Sequence, residues 1–434
     1  MKAPVNPNYC ATVVKIEKLV PIENADNLQS AIIFGNSVIV GKNIELETKG
    51  LFFPLETQLS DKFLSKHNLF RDKELNLDPG GKVGFFEKSA RIRAVKLRGQ
   101  KSEGFFIPLK DLYEDYKEIL SLEVGTDFDY LGSERICQKY VVKETQEQRE
   151  KKPRQGKTVP KFNRIIDNQF HLHVDSIQAK KYFDFIKPDD LIWISDKFHG
   201  TSAVFSNVLT NRPLKWYETL LLKLGIQIET AEYGNVYSSR KVIKNKSINT
   251  EVTGGFYKTD VWGHINNEVK DLIPNGVTLY GEIVGYLPGE NKEIQPGYHY
   301  SVQQNTCELF VYRITNTNTD GVVTEYTWSQ IKQFCTKFGL KHVPEFFYGF
   351  AKDLYPDIKV DGYWNRNVLE RLMTDFNLEK KCQYNPGKPA EGIVIRQEKL
   401  YDCIPLKLKS FAFMQYETKL LDAGTADIES DQGE

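Results

Sequence analysis

From about residue 9 to residue 135 the apolar positions come in short β-branched or aromatic runs rather than at helical spacing. Cys10 to Ile16, Ala31 to Phe34, Ser37 to Val40, Leu51 to Phe53 and Gly104 to Pro108 read as strands. Gly35-Asn36, Lys49-Gly50 and Gly80-Gly81 read as turns, and Leu59 to His67 as a single helical stretch. Short strands at this spacing predict a small β-barrel over residues 1–138. Residues 139–165 are polar, basic and weakly periodic, the pattern of an interdomain linker. From 166 to 425 strand runs alternate irregularly with helical patterns, so this domain is α+β with antiparallel sheets, not a doubly wound parallel sheet. Arg212 to Leu224 closed by Gly225, Ser329 to Phe338 closed by Gly339, Asn365 to Phe376, and Phe411 to Leu421 read as its helices. The acidic tail 426–434 reads as frayed.

Inside the larger domain, Asp196-Lys197-Phe198-His199-Gly200-Thr201-Ser202 lies between two apolar runs, Leu191 to Ile194 and Ala203 to Phe205. That is strand, tight turn, strand, with one lysine at the strand end. Gly200 allows close approach of backbone to a ligand or an unusual dihedral. Lys197 is therefore a candidate nucleophile, or else a surface lysine on a hairpin.

Composition narrows the setting. At 434 residues the chain calls for two or three domains. Its net charge is zero, so a nucleic-acid partner has to be met by local basic patches. One such patch is the run Arg91 to Lys101, where Arg91, Arg93, Lys96, Arg98 and Lys101 alternate with apolar residues. With Phe52, Phe53, Phe105 and Phe106 nearby, it suits an OB-like barrel holding a nucleic-acid backbone; a solvated face over core aromatics is the equal alternative. No apolar run approaches the roughly 18 residues that span a bilayer, and the N-terminus has no signal-peptide core. The six cysteines show no Cys-x-x-Cys spacing, which points to reduced thiols of a cytoplasmic protein and away from zinc. His171 and His173 read as structural.

Five further features follow Lys197 in order: Ser238-Ser239-Arg240-Lys241, Leu279-Tyr280-Gly281-Glu282-Ile283, Leu309-Phe310-Val311-Tyr312-Arg313, Glu391-Gly392-Ile393-Val394-Ile395, and Leu406-Lys407-Leu408-Lys409. This ordered set resembles the motifs of the covalent nucleotidyltransferases, the superfamily of DNA ligases, RNA ligases and mRNA-capping enzymes. Lys-x-His-Gly-Thr-Ser is most like the ATP-dependent RNA ligases. Some 25 residues follow Lys409, too few for the C-terminal OB domain of DNA ligases and capping enzymes. The barrel lies in front instead, as in the RNA-ligase branch with an N-terminal OB domain.

The resemblance implies a lysine-AMP intermediate on Lys197, transfer of AMP to a 5′-phosphate, and displacement of AMP by a 3′-hydroxyl. ATP and Mg²⁺ or Mn²⁺ are the implied cofactors. RNA ends, in nicked duplex RNA or an RNA/DNA hybrid, are the implied partners of a monomer. Lys407 and Lys409 would depress the Lys197 pKa and hold the α-phosphate. Glu282 and Glu391 are hard oxygen ligands for a divalent metal or its water, with a ribose role open to Glu282. Arg240 would bind ribose or phosphate, with Lys241 as its plain alternative. Tyr312, or Phe310 on the same face, would stack on adenine. The family often has Phe-Asp where this chain has Tyr312-Arg313. Asp196 would accept from the adenine amino group, and His199 packs or braces the turn. The competing readings are a GTP-dependent capping-type guanylyltransferase, a DNA ligase, or a non-catalytic OB-type nucleic-acid-binding protein.

Overall fold

The computed structural model describes residues 3–81, 83–112, 115–142, 164–245, 257, 259–376 and 381–424. Most of the expected linker (143–163) and all of the expected tail lie outside them.

In the N-terminal half, strands β1 (Ala11–Lys15), β2 (Lys49–Pro54), β3 (Gly104–Pro108) and β4 (Asp127–Phe128) form an antiparallel sheet in the order β4-β1-β2-β3. A separate three-stranded meander is built from Leu19–Pro21, Leu28–Ile33 and Asn36–Gly41. The expected barrel is not seen as such: among the described residues the pairing breaks into small sheets instead of closing. Among the described residues of 68–94 the strand pairing is limited to isolated bridges, with one 3-10 turn at Lys73–Leu75. Val13, Leu51, Phe53, Phe63, Phe105 and Phe128 fill the core beneath.

Two expectations here need correcting. Lys49-Gly50 is not a turn but the start of β2, where Gly50 pairs with Val14 and Pro108. Glycine is required because a Cβ there would stand 2.3 Å from the Phe106 ring. Arg91 is not on an exposed strand face. The strands of the basic run are only Val95–Leu97 and its hairpin partner Gln100–Ser102, and Arg91, outside both, is 4% exposed. The helix expected at Leu59 to His67 is α1 (Asp61–Lys66), capped by the Ser60 hydroxyl accepting from the Phe63 N–H at 3.1 Å.

The C-terminal half holds two mainly antiparallel sheets. One has the order β5-β14-β13-β6-β12, from β5 (Ile177–Gln178), β6 (Leu191–Lys197), β12 (Glu345–Phe350), β13 (Gly392–Gln397) and β14 (Leu406–Lys409); only its β5–β14 pair is parallel. The other has the order β8-β7-β9-β10-β11, from β7 (Thr201–Asn211), β8 (Ala231–Ser239), β9 (Val277–Gly285), β10 (Cys307–Thr317) and β11 (Val323–Glu325). The chain passes from the first sheet to the second through the turn after Lys197.

Helices α2 (Trp216–Lys223), α4 (Trp328–Phe338), α5 (Trp364–Asp375) and α6 (Phe411–Asp422) match the sequence reading to within a few residues. Gly225 and Gly339 close α2 and α4 at positive φ, 81° and 66°. Helix α3 (Val261–Val269) was not expected, because Gly263, Asn266 and Asn267 weaken its helical signal. Its Val261, Trp262, Ile265 and Val269 bury one face against the second sheet. Trp328 of α4 stacks on Trp193 of β6 at 4.0 Å and ties the two sheets together.

Candidate active site

Lys197 ends β6, and strand alternation separates it from Asp196. Lys197 turns to Glu391, with Nζ 2.7 Å from Oε1. The Asp196 charge is felt by Tyr300 and Tyr384.

The turn after Lys197 is fixed by four side chains. The His199 N–H donates to the Tyr300 hydroxyl at 2.7 Å, and the Gly200 N–H to Glu282 Oε1 at 3.0 Å. Gln295 donates to the Gly200 carbonyl at 2.8 Å, and the Trp262 indole to the Ser202 carbonyl at 3.0 Å. A Cβ on Gly200 would lie 2.3 Å from the Ile283 carbonyl oxygen, so the turn sits directly on β9. Glu282 also accepts from the Ser202 hydroxyl at 3.4 Å and thus braces the nucleophile turn. Tyr300, Gln295 and Trp262 carry no motif signal in the sequence.

Glu391 is fully enclosed and lies between two lysines, with Lys409 Nζ 3.5 Å from Oε1. Burial alone would raise its pKa, but Lys197, Lys409 and His199 outweigh burial and hold it below the usual carboxylate range. Its other oxygen, Oε2, is buried without a hydrogen-bond partner, 4.0 Å from His199 Nδ1. His199 is held edge-on against Tyr298 and Phe413 at 5.1 and 5.0 Å. Helix α6 returns Glu417 to Lys409 at 2.7 Å. Against the burial of Lys409, Glu417 and Glu391 raise its pKa well above the ordinary lysine value.

Lys407, two residues earlier on β14, is 8% exposed and has a different environment. Burial, then Lys409, Lys197 and Arg240, lower it to about 7. The two strand lysines therefore line the interior; neither is on a solvated face. Arg240 chelates Asp175 through Nε at 2.9 Å and Nη2 at 2.7 Å. His173 lies 3.9 Å from Asp175 and makes a 2.9 Å hydrogen bond with the Tyr312 hydroxyl. His173 and Asp175 thus join the site, although the sequence offered no reason to include them.

Ser202, Glu282 and Phe310 are paired neighbours across β7, β9 and β10. The two-residue period from Phe310 to Tyr312 is broken by a bulge: Gly281 pairs with Val311 and Tyr280 with Arg313, leaving Tyr312 as the extra residue. Tyr312 is 9% exposed, with the Arg396 guanidinium 5.1 Å from its ring centre. Arg396 is also 5.3 Å from the Trp193 ring, and its buried Nε lacks a partner. Phe310 instead packs edge-on to Phe198 at 5.0 Å. Arg313, where the family often has Asp, is used by its ion pair with Glu325.

Among the described residues no three His, Cys, Asp or Glu side chains form a ready metal cage. The orphaned Glu391 Oε2 fits a cation or its water, since a hard carboxylate oxygen is a usual ligand for Mg²⁺ or Mn²⁺. Both Glu282 oxygens already serve the turn. A cavity of about 650 Å³ opens elsewhere, lined by Asn235, Tyr237, Asn245, Asp260 and Asn266. Lys197, Glu391, Lys407 and Lys409 do not line it.

Of the basic run, Lys96 and Arg98 are exposed and Lys101 is partly so, lying 5.2 Å from the Phe411 ring centre. Arg98 donates to the Asn24 carbonyl. Arg93 lies 3.8 Å from Glu87 and 3.7 Å from Asp422.

Comparison with known proteins adds to this geometry. The family model described as RNA ligase matches residues 190–409. No curated protein matches. Among solved structures, the RNA ligase of Naegleria gruberi with pyrophosphate is similar at 14% identity and TM-score 0.58, over 96% of this chain and 100% of that one. A mutant of that ligase with ATP and manganese gives 14% identity and TM-score 0.59, over 95% and 99%. At this identity the likeness is one of fold, and it extends through both halves of the chain.

Proposed function

The chain belongs to the RNA ligase family, and from that premise we propose that it joins RNA 3′-hydroxyl and 5′-phosphate ends at the expense of ATP. The observation that carries the reading is the Lys197–Glu391–Lys409 cluster with Lys407 buried beside it. Lys197 is the amine that attacks the α-phosphorus of ATP and expels pyrophosphate; it is free again once AMP passes to the 5′-phosphate, and the 3′-hydroxyl then displaces AMP from that end as the phosphodiester forms. Lys407 and Lys409 face the α-phosphate and meet charge developing on its oxygens. Lys197 must leave Glu391 before it attacks. A divalent metal held through Glu391 Oε2 would neutralise phosphate charge when bound. The similar ligase crystallised with ATP and manganese supports this choice of cofactors.

Tyr312 lines the base pocket, and Arg396 and His173 hold its orientation. Arg240, paired with Asp175, meets the ribose or a phosphate of the incoming strand. The N-terminal half serves as the OB-type holder of nucleic acid, through Arg93, Lys96, Arg98 and Lys101 without Arg91. Nicked duplexes, of RNA or of an RNA/DNA hybrid, are the preferred substrates. Two domains, 1–138 and 166–425, divide this labour.

The test is sealing of a nicked duplex carrying a labelled 5′-phosphate. The expected products are the joined strand and, with a 3′-deoxy end, an accumulated AMP-capped 5′-end. Joining without ATP-dependent capping of the 5′-end would overturn the reading.

A further inference from the structure

The residue that sequence reasoning placed on RNA has other work. We propose that a buried latch of Glu56, Arg91 and Thr418 lets the N-terminal half position Lys409, so that this half acts on the chemistry as well as on the substrate. The proposal rests on the ligase reading above for the role of Lys409, though not for the latch itself.

The Arg91 side chain is 1% exposed. Its Nη1 meets Glu56 Oε2 at 2.9 Å, and its Nη2 donates to the Thr418 carbonyl at 3.1 Å and pairs with Asp422. The Thr418 hydroxyl donates to Glu56 Oε1 at 3.1 Å and accepts from the Ala94 N–H at 3.2 Å. Glu56, Arg91 and Ala94 belong to the N-terminal half; Thr418 and Asp422 belong to α6. Glu417, adjacent to Thr418 in α6, holds Lys409 at 2.7 Å. Burial raises the Glu56 carboxyl to about 7 against the pull of Arg91, and the nearby Glu417 adds to the rise. The latch carboxylate and the one that holds Lys409 therefore feel each other.

A buried arginine–carboxylate pair is a weak source of net stability, because desolvation offsets much of the attraction. It does fix geometry, since a planar guanidinium with several partners tolerates few arrangements. Here the geometry fixed is the rotation and height of α6. Helix α6 carries Glu417 toward Lys409 and Phe413 against His199, on either side of Glu391. Glu56, Arg91 and Thr418 are thus positioning residues, acting on the site through one helix.

The test pairs two readouts in Arg91→Met/Glu56→Gln, a double change that leaves no unpaired buried charge, and in the milder Thr418→Val. The first is single-turnover lysine-AMP formation, expected to slow by about tenfold with the half-saturating ATP concentration little changed. In a Glu417→Gln background the same changes should add little, because both act on one contact. The second readout is acetic anhydride labelling of the protein without nucleotide, read by mass spectrometry. Lys409 should label severalfold faster in the latch variants, while exposed lysines such as Lys352 stay constant. Unchanged Lys409 labelling, or latch and Glu417 effects that simply multiply, would overturn the proposal. A wild-type protein that forms no AMP adduct would instead remove the ligase reading, and the labelling would still decide whether the latch controls Lys409.

Discussion

At the scale of single residues, the two strand lysines are separated by their neighbours. Lys409 has two carboxylates and keeps its proton, whereas Lys407 is buried among cations. An unfolded Lys407 titrates at 10.5 and the folded one at about 7. Between those values the unfolded chain binds a proton that the folded chain has given up, so this group makes stability rise with pH. Below pH 7 the full cost of burying its charge is present. Lys407→Met should therefore melt higher than wild type at pH 6. The gain should shrink toward zero as pH approaches 10, and melting curves across that range would check it. A constant difference would mean that Lys407 is not held neutral in the fold. If Tyr312 lines the base pocket as proposed, Tyr312→Ala should weaken ATP binding more than Tyr312→Phe, since the ring would supply the contact area and the hydroxyl only its orientation. Equilibrium ATP binding to Lys197→Ala double variants would measure this without turnover.

Lys197, Glu282, Glu391, Lys407 and Lys409 were legible in the sequence because each sits in or beside a strand whose apolar neighbours mark it. Asp175, His173 and Glu417 were not, because their place in the site is set by packing between distant segments. Arg91 misled for a related reason. Alternation of basic and apolar residues predicts two faces but does not say which face is covered, and here α6 covers Arg91.

At the scale of elements, the turn between β6 and β7 is the most constrained part of the site. Gly200→Ala places a methyl group against the β9 carbonyl and the Glu282 side chain. It should cut lysine-AMP formation by about 100-fold, the order seen for small misplacements of reacting groups, while circular dichroism stays native. Retention of full activity would show that the turn has slack. Trp328, stacked on Trp193 and fully buried, anchors α4 across both sheets. Trp328→Ala should cost about 3–5 kcal/mol in denaturant unfolding, the usual range for a large aromatic core deletion. Helices with strong stops were read well; α3 was missed because tertiary burial of Trp262 and Ile265 overrides the weak propensity of its glycine and asparagines.

At the scale of the whole molecule, a chain of zero net charge has to hold a polyanion through local patches. Loss of Lys96 and Arg98 together should flatten the dependence of log affinity on log salt by roughly 1.4 to 1.8 units, as expected for two phosphate contacts. A slope unchanged by the double alanine variant would move the RNA path off this hairpin. The N-terminal half was legible as β-rich but not as small separate sheets, since register between short strands is weakly specified by pattern alone. Its grip on α6 was not legible at all, because no local pattern records a contact more than 300 residues apart.

Whether Lys197 carries AMP is read most directly by intact-protein mass spectrometry. Wild type and Lys197→Ala would be measured as purified, and again after incubation with ATP or GTP and Mg²⁺ or Mn²⁺. The account predicts a mass gain of one AMP from ATP but not GTP, mapped to the Lys197 peptide, released by pyrophosphate and missing from the variant. An adduct that survives in Lys197→Ala, or none in wild type under any of these conditions, would contradict it.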